Sequence, residues 1–156
     1  MKTIAKSLLV LIASTVFFNI AEAQPLLKMK THRVIRRTAV VIIAAHKKVK
    51  EGKVYTGNLA RAVAHQKYAR KLFRRGMYLR AIHHSRRARL LAILAIQANK
   101  GSADMAEAKN NAEEDELMKN PPADAELEAE LLKEEPATTF KDEDVVNTEP
   151  DVDDKD

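Results

Sequence analysis

A chain of 156 residues with no cysteine and no tryptophan excludes a disulfide scaffold and a thiol-based metal or redox centre. Its net charge of +5 conceals two opposed blocks: 24–103 carries 20 Lys or Arg against a single acid, Glu51, a net of +19, while 104–156 carries 20 acids against five lysines, a net of −15. A basic block of that strength attracts polyanions, and its own acidic tail is the nearest one.

Residues 1–23 read as a secretory signal peptide. Lys2 and Lys6 make a positive start, 8–18 is an apolar run of 11, and Ala21-Glu22-Ala23 is a cleavage pattern before Gln24. The run is shorter than the roughly 20 residues that span a bilayer. No cysteine follows the cleavage point, which removes a lipoprotein reading. A small exported chain without disulfides fits a bacterial periplasmic or secreted protein.

The basic domain, 24–103, predicts an all-α fold: a small helical hairpin or three-helix body. Gly52, Gly57, Gly76 and Gly101 are the only glycines and stand between or at the ends of periodic runs. Helices are expected over 33–50, 58–75 and 77–99. On the second, Leu59, Ala62, His65, Gln66, Ala69, Leu72 and Phe73 share one arc at 100° per residue. On the third, Tyr78, Ala81, His84, Ser85, Ala88, Leu91, Ala92 and Ala95 do the same. The alanines allow close approach, so these two should pack as an antiparallel hairpin. The apolar end of the third helix, 90–96, together with 40–45 of the first, is expected to be the buried centre or a homo-oligomer contact.

A 19-residue repeat runs through the same region. It aligns Gly57 with Gly76, Arg61 with Arg80, Ala62 with Ala81, His65 with His84 and Ala69 with Ala88, and a fainter copy places His46 before His65. The run Gly76-Met77-Tyr78-Leu79-Arg80-Ala81-Ile82-His83-His84-Ser85-Arg86-Arg87-Ala88 resembles the turn and second helix of a tetratricopeptide repeat, with Gly, Tyr, Ala and Ala at that family's spacings. Ser85 stands where the family has a bulky residue, and no proline follows the third helix. The resemblance covers about 40 residues, one unit of a kind normally stacked three or more deep. It implies a helical hairpin that binds through its surface and carries no functional residues across.

The tail, 104–156, holds four of the five prolines and one aromatic residue, Phe140. Little apolar surface can offset its ordering entropy, so marginal helix is expected over 106–118 and 123–135 and disorder over the last 20 residues.

Two constellations bear on function. Arg61, Lys67, Arg70, Lys71, Arg74, Arg75, Arg80, Arg86, Arg87 and Arg89 form a belt around the hairpin with no acid among them, beyond what solubility requires. In an exported protein such a belt suits anionic lipid, lipopolysaccharide or an acidic glycan or protein, with the tail as intramolecular competitor. Nucleic acid is disfavoured, because few aromatic or amide groups stand among the cations. The second constellation is His46, His65 and His84, which could converge to hold Zn²⁺ or Cu²⁺ or could be half-buried spacers. A third alternative is a precursor whose acidic segment neutralises a cationic membrane-active body. No enzyme is expected: the body has one carboxylate, Ser85 and His84 are adjacent and diverge on a helix, and no phosphate loop is present. No cofactor is expected apart from the metal alternative.

Overall fold

A computed structural model describes 2–100, 110–134 and 140–152, with side chains from 24 onward. The side chains of the expected signal segment lie outside the described residues. The described elements are α1 (Lys2–Gly52), α2 (Asn58–Arg74), α3 (Tyr78–Ala98), α4 (Ala112–Glu116), α5 (Asp124–Glu134) and α6 (Asp142–Val146), with no strand among them. The all-α expectation is met, and the three long helices pack together. Helix α1 starts well before position 33 and runs through Pro25, because nothing between 26 and 32 is a glycine or a second proline to stop it.

Gly76 forms the α2–α3 turn at φ 76°, where a side chain would be strained. The hairpin it closes buries Leu59, Ala62, Ala69 and Leu72 against Ala81, Ala88, Leu91 and Ala95. Helix α1 covers the open side of the pair with Val34, Ile35, Ile42, Ala45 and Val49. Asn99 pins the α1–α2 loop: its amide accepts from the Val54 N–H at 2.9 Å and donates to the Val54 carbonyl at 3.0 Å. Only glycine fits at position 52, since a Cβ there would stand 2.3 Å from the Asn99 Oδ1.

The apolar end of α3 divides. Leu91, Ala92, Ala95 and Ile96 are buried, while Leu90 and Leu94 are exposed, as are Val40 and Ile43 on α1. No helix among the described residues is long and apolar enough to cross a membrane.

The tail departs most from expectation. Helix appears at α4 and α5, within the two stretches that composition marks, but the last 20 residues are not uniformly without structure. Over 140–152, α6 packs between α1 and α2, and Asp142, Val146 and Val152 are buried. Four apolar side chains, Leu127, Leu131, Val146 and Val152, suffice because each enters a groove already made by the body. The tail thereby visits each groove of the three-helix body in turn: α4 reaches α1 and α3, α5 lies on α2 and α3, and α6 lies on α1 and α2.

Candidate anion-binding face and the tail across it

The belt exists, and the tail occupies most of it. Helix α5 presents five acids, and every one meets a belt cation. Asp124 receives Arg87 at 2.6 Å, Glu126 receives Arg80 at 2.6 Å, and Glu128 receives Arg61 at 2.6 Å and Arg87 at 3.3 Å. Glu130 pairs with Arg80 through two nitrogens, one at 2.8 Å, and Glu134 pairs with Lys71. Leu127 and Leu131, four apart on one face of α5, enter the body beneath these pairs. The Arg80 hydrogen bond holds the Glu130 carboxyl down at about 2, and the same bond raises Arg80. Burial works to raise Glu128, yet the hydrogen bond and charge of His65 and the Arg61 charge outweigh it and keep that carboxyl below its usual range.

Farther along, Arg70 bonds Asp151 at 3.1 Å, and Arg86 donates to the Asn110 amide oxygen at 2.9 Å. Lys67, Arg74 and Arg75 remain exposed, so the open part of the belt lies along α2.

Arg89 corrects the expected arrangement. Its position on α3 suggests solvent, but α1 packs on that flank and leaves the side chain only 2% exposed. There Arg89 donates to Thr38 at 3.2 Å and pairs at 3.0 Å with Glu114, itself 2% exposed, which also receives Arg37 at 2.7 Å. Glu114 is aimed by its own short helix, since Asn111 accepts from the Glu114 N–H at 2.8 Å as an N-cap. Asn111 followed three residues later by Glu114 is a capping signature that the sequence offers and that charge counting passes over.

Asp142 does its work on backbone. One carboxylate oxygen accepts from the Thr56 and Gly57 N–H groups, each at 2.8 Å, and the other from Ala60 at 2.9 Å. Helix α2 has no side-chain cap of its own, because Gly57 occupies that position; a tail residue supplies the negative charge its N-terminus favours.

The histidines form a pair, not a triplet. His65 and His84 meet Nδ1 to Nδ1 at 3.0 Å in the core of the hairpin. His46 lies apart on the α1 flank, with Nε2 3.1 Å from the Val146 carbonyl. Among the described residues, no group of three or more His, Cys, Asp or Glu side chains is arranged to hold a metal ion. The outer nitrogens point at α5: His65 Nε2 is 3.2 Å from Glu128 and His84 Nε2 is 3.1 Å from Glu130. Three contacts ask for three ring protons, and two neutral imidazoles carry two. A third proton would sit buried near Arg61, Arg80 and Arg87, which already neutralise both carboxylates. Burial accordingly lowers His65 to about 4 despite Glu128, and it lowers His84 despite Glu130.

No family model, curated protein or solved structure matches this chain. The functional reading therefore rests on the geometry above. That geometry contains paired charges, capped helix ends and a buried imidazole pair. Ser85 gives its hydroxyl proton to Gln66 at 3.0 Å, and Gln66 in turn bonds the Ile35 carbonyl at 2.8 Å.

Proposed function

We propose that this is an exported, non-enzymatic binding protein whose basic helical face takes an anionic envelope or extracellular partner, and whose acidic tail competes for that face. The observation that carries this reading is the complete pairing of the five α5 acids with belt cations, which is what a pseudo-ligand for the face would do. Asp124 and Glu126 are exposed, and pairs of that kind contribute about 0.2 to 1 kcal/mol each, so an external polyanion offering several phosphates or carboxylates can replace these first. The segments on either side of α5 are held differently, by the buried Glu114 and by the capping Asp142, so α5 can lift while its flanks stay in place. Lys67, Arg74 and Arg75, already open, give an incoming anion its first contacts.

The test uses the full chain and the variant Glu126→Gln/Glu130→Gln, titrated with anionic vesicles, lipopolysaccharide and duplex DNA across a salt series. Self-competition requires the variant to bind at least one of these polyanions more tightly at low salt, with the difference shrinking as salt rises. Equal affinity and equal salt slope for both proteins would sink the competition. Absence of binding by either would sink the function.

A further inference from the structure

Between α4 and α5 the chain crosses the outer face of α3 without settling onto it. The crossing leaves a cleft of about 470 Å³, floored by Arg86, Leu90 and Ile93 and roofed by Met118, Pro121 and Leu127. Pro121 and Pro122 stiffen the roof, since each fixes φ and neither donates a backbone hydrogen bond that would draw it down onto the helix. Small-molecule sites commonly occupy about 300 to 1,000 Å³ and combine apolar walls with placed polar groups, and this cleft sets Leu90, Ile93, Met118 and Leu127 beside a polar side of His83, three arginines, Asn110 and Asp124.

Charge pairing singles out one of its residues. Two other guanidiniums border the cleft, and both are neutralised by carboxylates: Arg87 by Asp124 at 2.6 Å and Arg89 by Glu114 at 3.0 Å. Arg86 is half-buried, and its side chain bonds a neutral acceptor, Asn110, at 2.9 Å. Burial lowers its pKa, with Glu114 and Asp115 acting in the opposite sense without a direct bond. A guanidinium partly removed from water gains most from an anion that it can contact directly, and Leu90 lies one helical turn away along the same floor.

We propose that this cleft binds an amphipathic monocarboxylate of fatty-acid type, its carboxylate on Arg86 and its aliphatic chain along Leu90, Ile93 and Leu127. One anionic group suits a guanidinium with no carboxylate partner among the described residues, and the partly open apolar wall of Leu90, Ile93 and Leu127 suits a single aliphatic chain. Because the tail itself forms the roof, the site needs the tail in place. Lifting α5 would remove Leu127 from the roof, so an occupied cleft and a displaced α5 exclude each other, yet each proposal can hold or fail without the other.

Calorimetric titration of the full chain with decanoate, decanol and inorganic phosphate tests the assignment. Decanoate should bind one to one, and the other two at least about tenfold more weakly. Arg86→Gln should weaken decanoate about tenfold and leave decanol unchanged, a tenfold loss being the expected scale for one charge-assisted contact. Leu90→Glu, at an exposed position, gives Arg86 a carboxylate four residues on and should abolish decanoate binding while the helical circular dichroism stays the same. Decanoate affinity unmoved in both variants, or decanol equal to decanoate, would overturn the proposal. Loss of decanoate on Arg74→Gln with none on Arg86→Gln would put the anion on the open belt and overturn it as well.

Discussion

Glu114 and Glu126 both bring tail charge to an arginine of α3, and the two contacts have opposite physical character. The Glu114–Arg89 pair is 2% exposed on both sides, whereas Glu126 is 56% exposed where it meets Arg80. In the first, neither partner can regain water while the fold persists, so the pair is obligatory and scarcely screened. In the second, the carboxylate keeps much of its hydration although Arg80 is only 22% exposed, and salt weakens their attraction over a Debye length of about 8 Å. One acidic tail therefore contains both a buried contact, the anchor, and a solvent-screened one, the latch, and burial separates the two where charge does not.

The largest expected effect tests the anchor. Glu114→Gln leaves Arg89 buried without its counter-ion and should cost about 3 to 5 kcal/mol in urea unfolding. Replacing both buried groups, Glu114→Gln with Arg89→Met, should recover part of that loss, since Arg89 is no longer a buried charge while Arg37 still loses its carboxylate. A single-variant loss below about 1 kcal/mol would erase the distinction from the exposed pairs.

Next comes Asp142→Ala, which strips three backbone donors at the α2 N-terminus and should cost about 1 to 2 kcal/mol. Amide exchange at Ala60 should accelerate in the same variant, and unchanged exchange there would show that the cap is dispensable.

Acidification acts on the latch from beneath. His65 and His84 have folded pKa values below the ordinary 6.5, so the folded state holds fewer protons than the unfolded one, and stability is greatest above pH 6.5 and declines as pH falls toward 4. The groups facing them are Glu128, Arg61 and Arg87 around His65, and Glu130, Arg80 and Tyr68 around His84. Glu128 and Glu130, also depressed, add a second decline below pH 4.5 that for Glu130 continues to about 2. Thermal melts of His65→Asn should show a shallower slope between pH 6.5 and 4. An identical slope would remove the imidazole pair from the account.

The smallest effect is that of Glu126→Gln alone, within about 1 kcal/mol at low salt and vanishing at high salt. A loss that persists in 1 M salt would class Glu126 with Glu114 and dissolve the comparison.

The body was legible because its signals are local. Glycine punctuation and the 3.6-residue apolar period mark α2 and α3 to within a residue or two, and the same period places His65 and His84 on the packed arcs. Arg89 was misplaced because a single-helix projection assigns one buried arc, while α3 has neighbours on two flanks. His46 was grouped with the other imidazoles on repeat position, although it faces Val146 rather than the hairpin. The tail's attraction to the belt follows from charge counting alone. Which acid meets which cation does not, because Glu114, Glu128 and Asp142 lie 77, 63 and 82 residues from partners in the body, and no periodicity links such distances. Composition also undervalued Val146 and Val152: two valines are a poor core by themselves, but they complete one that α1 and α2 had already begun.

Helix α2 waits for a residue 82 positions downstream to finish its first turn. During synthesis the sequence of that helix is made well before Asp142, so the head cannot reach its final stability until the chain has been translated through Asp142. A product that stops short of Asp142 would contain the three long helices described here yet leave one of them open at its start.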